Sequence, residues 1–398
     1  MFGAGDPENP MGGLLGDLLK VIGTAPGAGE AWFEAARTLA FGVATDAGTD
    51  ENPDPLVRIA FEELARVAEL HVAEATGISL PTGSGGIGFD TVGPGQWSFR
   101  LLEAYRPILK QLVDAQQGAS GSSAPRLDMA ALGDAPDDLT NLLGQFAVTL
   151  GPLLLGMQFG SAAGHLARRA FGQYALPLPW PESDHVLLLP GNVARFAEDW
   201  SLPLREVQLW VCVRELTMHA VLTRPPVRSS LTTLLADASA HASAAQRSLV
   251  ERLGEGLGDP TTLEHVLGDP EAILADLISP EQRNISNALT ALTTALSAYV
   301  DHVTASVASA LSSSPSALRE AWYRYRVEDG KGEQAFAGLF GLDMSQSEVD
   351  RGAAFVEGVV ERAGESALSR LWTDELDLPT PAEVDAPGLW LARIGLMD

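Results

Sequence analysis

The stretch at 207–222, Val-Gln-Leu-Trp-Val-Cys-Val-Arg-Glu-Leu-Thr-Met-His-Ala-Val-Leu, constrains the fold more than any other part of the chain. It is too long for a buried strand and apolar on nearly every side, so its length predicts a helix running through the core. Arg214, Glu215, Thr217 and His219 interrupt it. An ionised side chain buried without a partner is costly, so these groups are expected to face a polar cavity or one another.

Arg214-Glu215-Leu216-Thr217-Met218 stands where a metallopeptidase helix carries His-Glu-x-x-His. In that motif, residues at i and i+4 share a helix face and hold one zinc, and the Glu at i+1 polarises a metal-bound water. Here both ligand positions differ. The Arg214 guanidinium stays protonated and cannot ligate; Met218 offers a thioether that suits zinc poorly. Moving the frame by one residue pairs Glu215 with His219, a carboxylate and imidazole set that could hold a metal, but the base position then falls on Leu216.

With 398 residues, 46% of them hydrophobic, the chain has enough apolar material for a substantial core. A formal net charge of -26 argues against general affinity for nucleic acid or anionic membrane. Cys212 is the single cysteine, which excludes an intrachain disulfide and reads as a buried packing thiol. Residues 1–6 lack a basic, apolar leader pattern, and the chain reads as cytoplasmic.

Residues 1–28 read as a flexible arm and 29–398 as one large helical domain, with the motif helix at about 204–222. Helices are predicted at 30–43 and 55–75 and are expected to pack together. Leu56, Ile59, Ala60, Leu64, Val67, Ala68 and Val72 form one apolar stripe of the second. Gly83-Ser84-Gly85-Gly86-Ile87-Gly88 satisfies G-x-G-x-x-G, but no strand leads in and residues 89–95 do not open a helix, so a loop is expected. A helix at 97–116 precedes a linker at 117–125.

The uncharged run 142–164 ends in Gly156-x-x-x-Gly160-x-x-x-Gly164 and reads as a buried central helix that a second helix approaches closely, rather than a membrane span. Residues 186–189 form the one convincing strand candidate; in a zinc peptidase such a strand commonly lines the cleft and pairs with an extended substrate. Further helices are predicted at 229–253, 261–277, 280–311 and 347–364. The interleaved Ala321-Trp322-Tyr323-Arg324-Tyr325-Arg326 reads as a solvated helix face, since acidic residues flank it.

Taken together, the chain resembles the zincin-like metallopeptidase type 2 family, mainly helical bacterial proteins also described as candidate hydrolases. The resemblance rests on Ala68-Glu69-Leu70-His71-Val72-Ala73-Glu74-Ala75-Thr76, the triple-Gly helix, Leu189-Pro190-Gly191-Asn192-Val193, and Leu209-Trp210-Val211 before Arg214-Glu215. Phe340-Gly341-Leu342 and Leu378-Pro379-Thr380-Pro381-Ala382-Glu383 complete it. It implies a mainly α, zincin-like helical fold with a small β element near the cleft. Members with an intact motif carry a third-ligand Glu in a context that corresponds here to Ser297-Ala298-Tyr299 before Val300-Asp301-His302.

The resemblance therefore places Glu215 as a vestigial general base and Arg214, Met218, His219, Ser297, Tyr299, Asp301 and His302 in the cleft. Three readings compete. The first is a silent zincin that binds a peptide or protein, with no metal or other cofactor expected. The second is a zinc hydrolase rearranged around Glu215 and His219, aided by Asp301 or His302. The third is a buried Arg214–Glu215 ion pair that orients the core. Neither a nucleic-acid partner nor a membrane span is expected. Arg214 is further expected to bridge Asp301, joining the two helices that a zinc would otherwise join.

Overall fold

Proline and capping residues set where most helices begin. In the computed structural model, which describes residues 30–46, 48–50, 52–80, 87–122, 137–256, 279–327 and 331–397, α1 spans Ala31–Ala44 and α2 Pro55–Thr76. The Asp54 carboxylate caps α2 by accepting from the Leu56 N–H at 2.8 Å, ahead of a proline whose missing N–H costs the first turn nothing. Strand β1 (Gly88–Thr91) leads to α3 (Pro94–Ser122), and α4 (Asp137–Ala167) leads to β2 (His185–Leu188) and α5 (Pro190–Asp199). Then come α6 (Leu204–Leu222), α7 (Pro225–Gly256), α8 (Pro280–Leu311), α9 (Pro315–Val327), α10 (Lys331–Gly338) and α11 (Gln346–Ala363). Two 3₁₀ segments, α12 (Pro381–Asp385) and α13 (Pro387–Arg393), close the chain.

The expected arm at 1–28 and the helix at 261–277 lie outside the described residues, as does most of the glycine-rich loop. Its last glycine opens β1, a strand that the sequence reading missed, and α3 starts at Pro94. The linker expected from 117 is helical as far as Ser122.

Helix α6 runs through the core as its composition predicts: every residue from Trp210 to Leu222 is buried. It packs against α2, α5 and α8. Its first turn is tied to the far end of α8, where the Glu206 carboxylate accepts from the Ser313 hydroxyl at 2.7 Å and the Ser313 N–H at 3.1 Å. Hydrogen bonds from Ser312 and Ser313 hold that carboxyl below its ordinary pKa.

Helices α1 and α2 do not form the expected pair, since α1 packs on α4 and α3 while α2 packs on α6. The glycine spacing explains the first choice. A Cβ at Gly156 would lie 2.1 Å from the Trp32 carbonyl oxygen, and one at Gly160 2.3 Å from that of Ala36. Four-residue steps match on both helices, so their backbones touch. Helix α4 is nonetheless not buried all round: Leu154 is 62% exposed. Among the described residues no helix is long and apolar enough to cross a membrane.

Strands β1 and β2 pair in parallel, from Gly88 with His185 to Thr91 with Leu188. The other edge of β2 is also taken. Gln173 N–H donates to Leu187 O at 2.8 Å, and Leu189 N–H to Phe171 O at 2.9 Å, around an antiparallel bridge from Gly172 to Leu188. The strand is where the sequence reading put it, but it has no free edge with which to pair an extended substrate.

Candidate functional site

The site is built on the short segment 170–174, which four elements hold in place. Asn192 of α5 donates to Ala167 O at 2.9 Å and Ala170 O at 2.7 Å. The Trp97 indole of α3 donates to Gly172 O at 3.0 Å. Strand β2 pairs with it on one side, and on the other lies α6. A Cβ at Gly172 would stand 2.5 Å from the Glu215 carboxyl carbon, so glycine alone lets that side chain lie flat on the backbone.

Glu215 and Arg214 together grip the backbone of Tyr174, one at its N–H and the other at its carbonyl. The Glu215 Oε2 accepts from the Tyr174 N–H at 2.8 Å, and Arg214 Nη1 donates to the Tyr174 carbonyl at 3.2 Å. The two side chains also pair with each other at 3.1 Å. Both are buried, Glu215 at 1% exposure and Arg214 at 8%. Burial pushes the Glu215 carboxyl above the ordinary carboxylate range, against the opposing pull of the Arg214 charge and the Tyr174 N–H. The chamber around them holds about 30 Å³, room for one or two waters and none for a peptide.

The Arg214–Asp301 bridge expected from the sequence does not form, because α9 stands between the two residues. The Arg214 guanidinium lies 4.8 Å from the centre of the Trp322 ring. On the other side, the Trp322 indole N–H donates to Asp301 Oδ1 at 3.2 Å, and Arg326 takes Oδ2 at 2.5 Å. A cation on one face and a hydrogen bond at the edge fix this indole. The run at 321–326 is thus only partly a solvated face. Trp322 and Tyr325 turn inward, with Tyr325 stacked on Phe171 at 5.0 Å, while Arg324 pairs with Glu320 in solvent. Two inward aromatics three residues apart are the signal that the flanking charges obscured.

Beyond Trp322 opens a groove of about 620 Å³ between α8, α9 and α11. Trp210 and Trp322 line it with Leu318, Val356 and Val360, while Asp350, Glu357 and Glu361 border it from α11. The Tyr323 hydroxyl joins α9 to α11 by donating to Asp350 at 3.3 Å.

The predicted cleft residues are therefore divided. Arg214 and Glu215 line the chamber; Asp301 and His302 line the groove, where His302 faces Glu365 at 3.5 Å. Ser297 borders a small cavity with Thr293 and Glu348 that shares Asp301 with the groove. Met218 is packed in the core, and Tyr299 is buried with its ring centre 4.6 Å from that of Trp372. His219 Nδ1 and the Tyr174 hydroxyl share a hydrogen bond at 2.8 Å, and burial lowers the imidazole pKa to about 4, which keeps the ring neutral. Cys212 is fully buried, and burial pushes its thiol pKa up. Sequence reasoning missed Gly172, Tyr174, Trp322 and Arg326.

A zinc ion at the motif position does not fit these residues. Arg214 brings a fixed positive charge and Met218 lies in the core, while Glu215 is held through Oε2 by the Tyr174 N–H and through Oε1 by Arg214, which leaves His219 without a second ligand from the motif. Among the described residues no three His, Cys, Asp or Glu side chains are grouped to hold a metal.

Two comparisons with known proteins bear on the fold. Residues 32–391 match the family described as zincin-like metallopeptidase. A solved Chloroflexus aurantiacus protein, described as a candidate hydrolase with a novel fold, shares 22% identity at a TM-score of 0.59, over 91% of this chain and 98% of that one. That likeness speaks for the fold. No curated protein matches the sequence.

Proposed function

The chain belongs to the zincin-like metallopeptidase family, and from that premise we propose that this member is a peptide- or protein-binding module, catalytically inactive as a peptidase. The observation that carries the reading is the grip on Tyr174. The carboxylate that would polarise a water is instead an acceptor for a backbone N–H and a partner for Arg214. A general base must reach the proton it abstracts, and this one is buried in a small chamber that Arg214 and Trp322 help to line.

Binding is assigned to the groove beyond Trp322. Its apolar lining and the carboxylates of Asp350, Glu357 and Glu361 suit a segment that presents apolar side chains on one face and Lys or Arg beside them. A helical segment meets that pattern with anchors at i, i+3, i+4 and i+7.

The test uses a helical Leu/Lys peptide with that spacing and a shuffled isomer of equal charge, titrated by fluorescence of the protein's tryptophans. The expected result is saturable binding of the patterned peptide alone, weakened at least tenfold by Ala353→Arg in the groove. Equal binding of both peptides, or indifference to the substitution, would reject the assignment.

A further inference from the structure

Helix α2 carries two apolar faces, and among the described residues only one is buried against the fold. Phe61, Leu64, Ala65, Ala68 and Val72 are buried toward α6 and the core. On the opposite side Leu56 is 71% exposed, Ile59 46%, Val67 39% and Leu70 71%. The single stripe expected from sequence is thus split, with Leu64, Ala68 and Val72 inward and Leu56, Ile59 and Val67 outward. A helix that is apolar on two sides is ordinarily covered on both.

The outward residues have a symmetry that points to their cover. Counted from Glu63 they stand at minus seven, minus four, plus four and plus seven. At 100° per residue all four lie within an arc of about 80°. A contact between identical copies about a two-fold axis must be self-complementary, so that if i meets j then j meets i. Two α2 helices packed antiparallel about Glu63 satisfy this: Leu56 meets the partner's Leu70, and Ile59 meets the partner's Val67. Near the axis, Arg66 at plus three lies at the margin of the face, about 60° from Glu63 and clear of the four apolar side chains. That leaves it room to reach the partner's Glu63, giving two charge pairs that offset the repulsion of the facing carboxylates. Arg58 and Glu62, paired at 3.6 Å, lie on the polar border.

From this arrangement we propose that the chain forms a two-fold homodimer through the outward face of α2. One helix pair is a small interface, which places the dimer in the weak, concentration-dependent class. The copies each carry a net charge of -26 and repel at long range. Salt screens that repulsion while leaving apolar burial intact, so the dimer tightens as ionic strength rises. A docking contact with a basic partner would weaken instead.

Sedimentation equilibrium of the full chain over roughly 1–200 µM, the range in which micromolar association is read, tests it. The parent is expected to pass from monomer to dimer, at lower concentration in higher salt. Leu70→Lys should weaken association at least tenfold, as should Arg66→Glu, which crowds four carboxylates near the axis. The exchange Glu63→Arg with Arg66→Glu restores both pairs and should recover the parent constant. All these side chains are exposed, so thermal unfolding at low concentration should match the parent and separate lost association from lost fold. A parent that stays monomeric throughout overturns the proposal, as does a dimer indifferent to Leu70→Lys.

Discussion

The chamber around Glu215 and the groove beyond Trp322 share one wall, yet they treat charge in opposite ways. In the chamber a carboxylate and a guanidinium are buried, and both are fixed to the backbone of Tyr174. In the groove, the carboxylates of Glu357 and Glu361 stand exposed beside apolar side chains. On the proposed reading, the motif position serves the framework and recognition lies one indole further out. Substitutions in the chamber should change stability, and substitutions in the groove should change binding.

Glu215→Ala should have the largest effect. It leaves Arg214 charged and unpaired in the core and should lower unfolding free energy by about 3–5 kcal/mol in denaturant titration. Replacing the pair together, Arg214→Met with Glu215→Leu, should recover much of this, leaving about 1–3 kcal/mol for the Tyr174 N–H and carbonyl that lose their partners. A double variant as unstable as the single one would break the comparison.

Next comes the pH response of His219. Its folded pKa is depressed from 6.5 to about 4, so the unfolded chain binds the extra proton first. Its contribution is fully present above pH 6.5 and is lost as pH falls toward 4, a slope amounting to about 3 kcal/mol. His219→Asn should show a shallower loss of stability than the parent across that window. Parallel curves would contradict the burial of a neutral ring.

Trp322→Ala removes the shared wall. Full burial of such a side chain is worth about 3–5 kcal/mol, and for this half-buried indole a loss of about 2 kcal/mol is expected. The same change should weaken peptide binding, because Trp322 serves both sides. The smallest effect on stability belongs to Glu357→Gln with Glu361→Gln, about 0.5 kcal/mol or less. That pair should nevertheless lower affinity for the Leu/Lys peptide several-fold, a change read by the same fluorescence titration.

Much of the framework was legible in the residues. The unbroken apolar character of α6 announced a core helix, the glycine spacing at 156, 160 and 164 announced a close helix contact, and the run near 186–189 announced a strand. Each is a local pattern with a fixed geometric meaning. The site was less legible because it depends on contacts distant in sequence. That Glu215 would turn to a backbone N–H forty-one residues away follows from Gly172 and the strand pairing, which no local period encodes. The Arg214–Asp301 expectation failed for a related reason. It considered two helices and left out the third, α9, whose Trp322 occupies the space between them. The outward half of the α2 stripe misled in the opposite direction, since periodicity reports an apolar face without saying what covers it.

The central claim is that Arg214 and Glu215 form a structural grip where family members with an intact motif would place a zinc ligand and a base. Zinc titration by calorimetry into chelator-treated protein, for the parent, His219→Ala and His71→Ala, tests it most directly. The account predicts no tight site whose affinity depends on His219, because the Glu215 carboxylate is held by the Tyr174 N–H and by Arg214, and among the described residues no group of three His, Cys, Asp or Glu side chains could hold a metal. One zinc per chain bound with submicromolar Kd, lost in His219→Ala and kept in His71→Ala, would contradict it.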